Sequence, residues 1–278
     1  MLSTKRTQSH HPDSFSSRYR AGKSKARPRD QSVASRRLHR RHTPDTPPDG
    51  SSLNQGVITL TIGPTKRLFA AHKDILCVSP FFAALCNRPS DSPSASSSSS
   101  PKPIDLPDEQ PEIFSCVLEY LYRGDYYPRL RHDKTNNTWD LETASANANT
   151  NTRDTDPGAT LFVPAAGAEI LRDTAVYCAA QKYSLEILKR LALKKQGLHS
   201  NIPCHTILTS ARYAYAHTPD NESKLRAHYL ALIIRSRETF KRSGTMQMEM
   251  EQGGKLFFDL FVAMCNHMVS LPSTQNLP

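Results

Sequence analysis

The chain has 278 residues, enough for one good-sized domain with extensions or for two small ones, yet its apolar content of 37% and mean hydropathy of −0.55 are low for a chain folded throughout. The polarity is local: residues 1–50 carry twelve Lys/Arg against four Asp, so +8 of the formal charge of +10 sits there, and the other 228 residues are near neutral, with 24 basic and 22 acidic side chains. The pI of 9.4 therefore describes a tail, which excludes a strongly basic nucleic-acid-binding face on the folded part.

Residues 1–52 are rich in Ser, Arg, His and Pro and poor in large apolar side chains. Such a segment cannot bury enough surface to offset its ordering entropy and is predicted to be disordered. "VITLTI" (57–62) then alternates Ile58, Leu60 and Ile62 against Val57, Thr59 and Thr61, the period of a half-buried strand. Gly63-Pro64 turns the chain, and 67–71 reads as the returning strand of a hairpin. From Lys73, the residues Ile75, Leu76, Phe81, Phe82 and Leu85 suit two short helices broken at Ser79-Pro80.

Residues 88–103, "RPSDSPSASSSSSPKP", are low-complexity loop, and "IDL" (104–106) is a short strand. The strongest helix follows: Ile113, Phe114, Val117, Leu118, Leu121 and Tyr122 keep one face, with Pro111 in the first turn and Gly124 just past the end. The polar stretch 131–160 reads as a second insertion. A helical pair is expected over 168–182 and 184–195, with Ser184 as the cap of the second and Lys189, Arg190, Lys194 and Lys195 complementing its C-terminal dipole. Three more amphipathic segments occupy about 204–216, 222–240 and 255–268; in the middle one Leu225, Tyr229, Leu232, Ile233 and Phe240 form one stripe.

The six cysteines, at 77, 86, 116, 178, 204 and 265, form no CxxC pair, which argues against a zinc site or a disulfide framework. The N-terminus has no apolar signal core, and "LFFDLFVAM" (256–264) is too short to span a membrane and carries Asp259, so an intracellular, reducing location is expected, nuclear or cytoplasmic. His72 with Cys77 or Cys86 invites a metal or Cys/His catalytic reading, but a lone His among apolar residues is more often a structural group. Phosphate-cradling Gly loops, H-E-x-x-H and G-x-S-x-G do not occur, so neither an enzyme nor a cofactor nor a small-molecule substrate is expected.

The tail holds two basic clusters, Lys23, Lys25 and Arg27 and then Arg36, Arg37, Arg40 and Arg41, spaced as in a bipartite nuclear import signal. A solvated, solubilising tail explains the same residues, and so does contact with nucleic acid by counterion release. A transit peptide fits less well, because amphipathic apolar spacing is missing and Asp13 and Asp30 interrupt it. Thr43-Pro44, Thr46-Pro47, Ser92-Pro93 and Ser100-Pro101 are candidate proline-directed phosphosites, although Ser/Thr-Pro is also ordinary loop composition.

Taken in order, "VITLTIG", "FAAHKDILCVSPFFAAL", "IDLPDEQPEIFSCVLEYLYRGDY" and "AVYCAAQKYSLEILKRLA" resemble the BTB/POZ domain, in the version common in filamentous fungi. His72, Lys73, Leu76, Ser79, Phe82, Leu106, Tyr120, Leu121, Tyr122, Gly124, Tyr126, Ala180, Lys182 and Tyr183 occupy the family's motif positions, over roughly Val57–Lys195. The resemblance implies an α+β fold, a short β-hairpin and small sheet with a cluster of helices, over 53–197. A helical extension (198–278) would follow it and the disordered basic tail (1–52) would precede it. It also implies a protein-interaction module that pairs with itself or another BTB protein through the hairpin and first helices. In some members the module docks to a cullin scaffold as the substrate adaptor of a ubiquitin ligase.

Two features depart from the family pattern. Gln55-Gly56-Val57 stand where the family often has an Asp, part of a charged pocket at its dimer interface. Loop 88–103, which holds no glutamate, stands where cullin-binding members carry an apolar-x-Glu element, so a cullin contact would need other residues, with Phe82, Leu85 and Tyr126 as the candidates. With no kelch, MATH or zinc-finger partner domain in the sequence, self- or hetero-association is the preferred expectation.

Overall fold

The computed structural model of the protein describes residues 56–87, 103–142, 158–199 and 201–269. The basic clusters of the tail and the Ser-rich loop up to residue 102 lie outside the described residues.

The hairpin forms as its alternation requires. Strands β1 (Val57–Ile62) and β2 (Arg67–His72) pair antiparallel, Val57 opposite His72 and Ile62 opposite Arg67, and Ile58, Leu60 and Ile62 all point into the core. The turn needs its glycine: Gly63 has φ +75°, and a Cβ there would lie 2.9 Å from the Glu109 carbonyl oxygen. Strand β3 (Ile104–Leu106) joins the free side of β1 in parallel, giving the order β2-β1-β3.

Helices α1 (Lys73–Leu76) and α2 (Pro80–Cys86) break where Ser79-Pro80 predicts. Ser79 caps α2, its Oγ accepting from the Phe82 N–H at 3.4 Å and donating to the Tyr183 carbonyl at 2.7 Å, which ties α2 to a segment 104 residues away. Helix α3 (Pro111–Arg123) starts on its proline and stops at Gly124, left-handed at φ +75°. Ile113, Phe114 and Val117 are its buried stripe, each stabilising by about 1.5–3 kcal/mol of transferred apolar surface.

The stretch 131–160 holds more structure than its polarity suggests. Strands β4 (Leu130–Asp133) and β5 (Thr138–Leu141) form a hairpin closed by Asp133, whose carboxylate accepts from the Thr135 N–H and Asn136 Nδ2. A third hairpin pairs β6 (Thr160–Val163) with β7 (Ala168–Leu171) across a short 3-10 turn at Pro164–Ala166. Residues 168–171, expected as helix, are therefore strand. Good helix formers there yield to pairing with β6 and to a bond from the Leu171 N–H to Ser210 Oγ.

Helix α4 (Arg172–Lys182) is the central element: every side chain from Asp173 to Ala180 is buried, and it packs against α3, α5, α6 and β7. In α5 (Glu186–Gln196) the N-cap position is Leu185, and Ser184 lies in the connection at φ +57° instead of capping. Two of the lysines expected to complement the α5 dipole are interior. Lys189 Nζ reaches Gln181, Glu186 and Glu222, and Lys195, with no exposed surface, reaches Asp125 Oδ1 at 2.5 Å and the carbonyls of Tyr126 and Pro128 at 2.6 and 2.8 Å.

The C-terminal part is all helix: α6 (Cys204–His217), α7 (Lys224–Arg235), α8 (Arg237–Ser243), α9 (Thr245–Gln252) and α10 (Lys255–Val269). The segment expected as one helix over 222–240 breaks at Ser236, yet Leu225, Tyr229, Ile233 and Phe240 still bury on both sides of the break. Helix α9 was not marked by any apolar period.

Candidate interaction surface

The signature residues divide by position. Leu76, Ser79, Phe82, Tyr126 and Tyr183 are buried; Leu106, Tyr120 and Leu121 are half-buried against the same core. Phe82 sits between Phe114 and Tyr183, at ring-centre distances of 6.1 and 4.8 Å. Lys182 and the Tyr183 hydroxyl both bond to Glu109 Oε2, the lysine at 3.0 Å. The Tyr126 hydroxyl donates to Asp173 Oδ1 at 2.6 Å, and His199 Nε2 lies 2.9 Å from the other oxygen of that buried carboxylate. These side chains join the hairpin, α2, α3 and α4 to one another. Phe82 and Tyr126, candidates for a cullin contact, have no accessible surface because they fill this core; of that trio only the half-buried Leu85 reaches solvent.

His72 holds the N-cap position of α1 but makes no side-chain cap. Its N–H donates to the Tyr122 hydroxyl at 3.0 Å and its Nδ1 lies 2.7 Å from the same oxygen, so the histidine links β2 to the end of α3. Lys73 closes the corner through its backbone, donating its N–H to the Gly56 carbonyl at 2.5 Å. Burial and then its neighbour Cys77 raise the Cys86 thiol, and burial lifts Cys116 to about 11 and Cys178 further. Nucleophilic or metal-binding cysteine needs the opposite shift. Among the described residues, no group of three or more His, Cys, Asp or Glu is placed to hold a metal ion, and no helix is long and apolar enough to cross a membrane.

What faces solvent is different in kind. On the edge strand β2, Leu68 is 70% exposed, and at the junction of α1 and α2 Val78 is 63% exposed, with Tyr122 open beyond them. A cleft of about 710 Å³ lies on another side, between the β1–β2 turn at Pro64, the start of α3 at Gln110 and Pro111, Pro164, and the stacked rings of Tyr213 and His217. Its central charges, Glu109 and Lys182, satisfy one another. The groups open to solvent at the hairpin edge and the α1–α2 corner are thus apolar side chains and the Tyr122 ring.

Comparison with known families agrees with this geometry. Residues 53–144 match the BTB/POZ domain family model, a span that contains β1 to β5. The chain carries a BTB/POZ domain, and with it a protein-interaction module. No curated protein matches the chain.

Proposed function

We propose that the protein is a non-enzymatic interaction module that pairs with a second copy, or with another BTB protein, through the face formed by β2, α1 and the α1–α2 junction. The observation that carries this reading is the exposure of Leu68 and Val78 on consecutive elements of that face, beside an edge strand with no further strand partner among the described residues. Exposed apolar side chains on an unpaired edge are an association surface unless something covers them.

The test is the mass of the full chain by light scattering over the micromolar range. An assembly whose mass falls in Leu68→Asp/Val78→Asp, with an unchanged thermal melt, supports the reading. A chain that stays monomeric throughout overturns it for self-association and leaves only a different BTB protein as partner. The ligase-adaptor reading has less behind it, because Phe82 and Tyr126 are buried and loop 88–103 has no glutamate. Calorimetric titration of the full chain with the N-terminal region of a BTB-binding cullin tests it, and micromolar binding would make this an adaptor. Nuclear entry rests on the clusters Lys23–Arg27 and Arg36–Arg41, and a tagged chain that stays nuclear after their replacement by alanine removes that proposal.

A further inference from the structure

Helix α10 is apolar on two opposite sides. One side, Leu256 and Leu260, is buried beside Leu208 and Arg212 of α6 and Met246 of α9. The other carries Phe258 (65% exposed), Phe261 (59%) and Val262 (39%), and Cys265 completes the spacing i, i+3, i+4, i+7. That spacing lines the four up as a single stripe along the helix. A helix with two apolar sides belongs inside a structure. Among the described residues, only one side of this helix is covered.

We propose that the open stripe of α10 is covered by α10 of a second copy, as an antiparallel helix pair about a two-fold axis. The chain then has two self-association faces, this one and the hairpin face. An i, i+3, i+4, i+7 stripe is complementary to itself, and a two-fold contact uses the same patch on both copies. None of the four side chains is charged, so pairing desolvates no ion. Antiparallel pairing also sets the N-terminal end of each helix dipole against the C-terminal end of the other.

At about 200 Å² per fully exposed aromatic ring, the stripe and its flank at Met264 present about 400 Å² per copy, within the range of the largest uncovered patch on a monomer. A pair of such stripes buries about 800 Å² in total, the size of a weak, concentration-dependent association.

Two faces of this kind build alternating chains, so the wild type should form assemblies larger than dimers that grow with concentration. The experiment weighs the full chain in solution as four proteins: wild type, Phe258→Glu/Phe261→Glu, Leu68→Asp/Val78→Asp, and all four substitutions together. All four positions are exposed, and thermal melts check that each variant stays folded. The α10 variant is expected to stop at a dimer held by the hairpin face, the hairpin variant to stop at a dimer held by α10, and the combined variant to be monomeric. A monomeric hairpin variant overturns the α10 pairing. A monomeric α10 variant beside a dimeric hairpin variant keeps the pairing and overturns the hairpin reading. A monomeric wild type overturns both. If the hairpin variant is monomeric but sediments with phosphatidylcholine–phosphatidylserine vesicles, the stripe serves a lipid surface and the pairing is overturned.

Discussion

The molecule is held together in two ways. From β1 to α3 the core is apolar: Ile58, Leu60, Ile62, Leu76, Phe82, Phe114 and Val117 pack on one another, and among the described residues of that span Glu109 is the one buried charge. Around α4, α5 and α7 the interior also holds polar groups. Lys195 is enclosed by Asp125 and two carbonyls, Lys189 by Glu186, Glu222 and Gln181, Asp173 by Tyr126 and His199, and Thr174 by Gln196 and Tyr229. The first kind of core tolerates apolar side chains of the right volume, whereas the second needs its particular polar partners. A buried charge is neutral or worse for stability as a pair but costly when one partner is removed, so these networks specify which segments meet. Asp125 and Tyr126, just after the signature helix, are thereby locked to α4 and α5, which lie beyond the matched residues 53–144.

Substitutions separate the two regions. Phe82→Ala should cost about 4 kcal/mol, because the ring is fully buried between Phe114 and Tyr183 and its removal leaves a cavity. Denaturant unfolding measures this, and a loss near 1 kcal/mol would mean the apolar core relaxes freely. Next in size, Lys195→Ala should cost about 3 kcal/mol by stranding Asp125 and two carbonyls, whereas alanine at the exposed Lys224 should change stability by less than about 0.5 kcal/mol. Equal effects at the two lysines would erase the distinction between the regions. Tyr126→Phe keeps the ring and removes only the donor to Asp173; about 2 kcal/mol is expected, and a null result would show that His199 alone satisfies the carboxylate.

The smallest effect is on pH dependence. Burial, and then Arg235, holds the His228 imidazole below its ordinary value of 6.5, and its Nε2 has no partner. Below pH 6.5 the unfolded chain binds a proton there that the folded chain refuses, so stability should fall as pH drops from 6.5 towards the folded value. His228→Gln should flatten that part of the stability profile, and an unaltered slope would assign it to other groups.

Some of this was legible residue by residue. The alternation of 57–62, the Gly63-Pro64 turn, Ser79-Pro80, and Pro111 with Gly124 around a clear apolar stripe are local signals, and each produced the element it predicts. The contact surface was less so. Phe82 and Tyr126, which the motif marks as structural and which were also candidates for a partner contact, lie in the core, because a motif records what the fold requires and large aromatics are mostly required inside it. Leu68 and Val78 carry no distinguishing signal: a leucine next to a strand pattern is as easily buried as exposed.

By itself the sequence determined the β-hairpin, the first three helices and the family they make, since period, caps and turn residues act within a few positions and need no distant partner. Tertiary structure decided the rest. Ala168–Leu171 became a strand because Thr160–Val163 was there to pair with it, and Lys189 and Lys195 turned inward because carboxylates and carbonyls from 33 and from 67 to 70 residues away surround them. A lysine near a helix end reads as solvent-facing by its chemistry. Only the packing of α5 against the loop after α3 and against Glu222 makes burial the lower free energy.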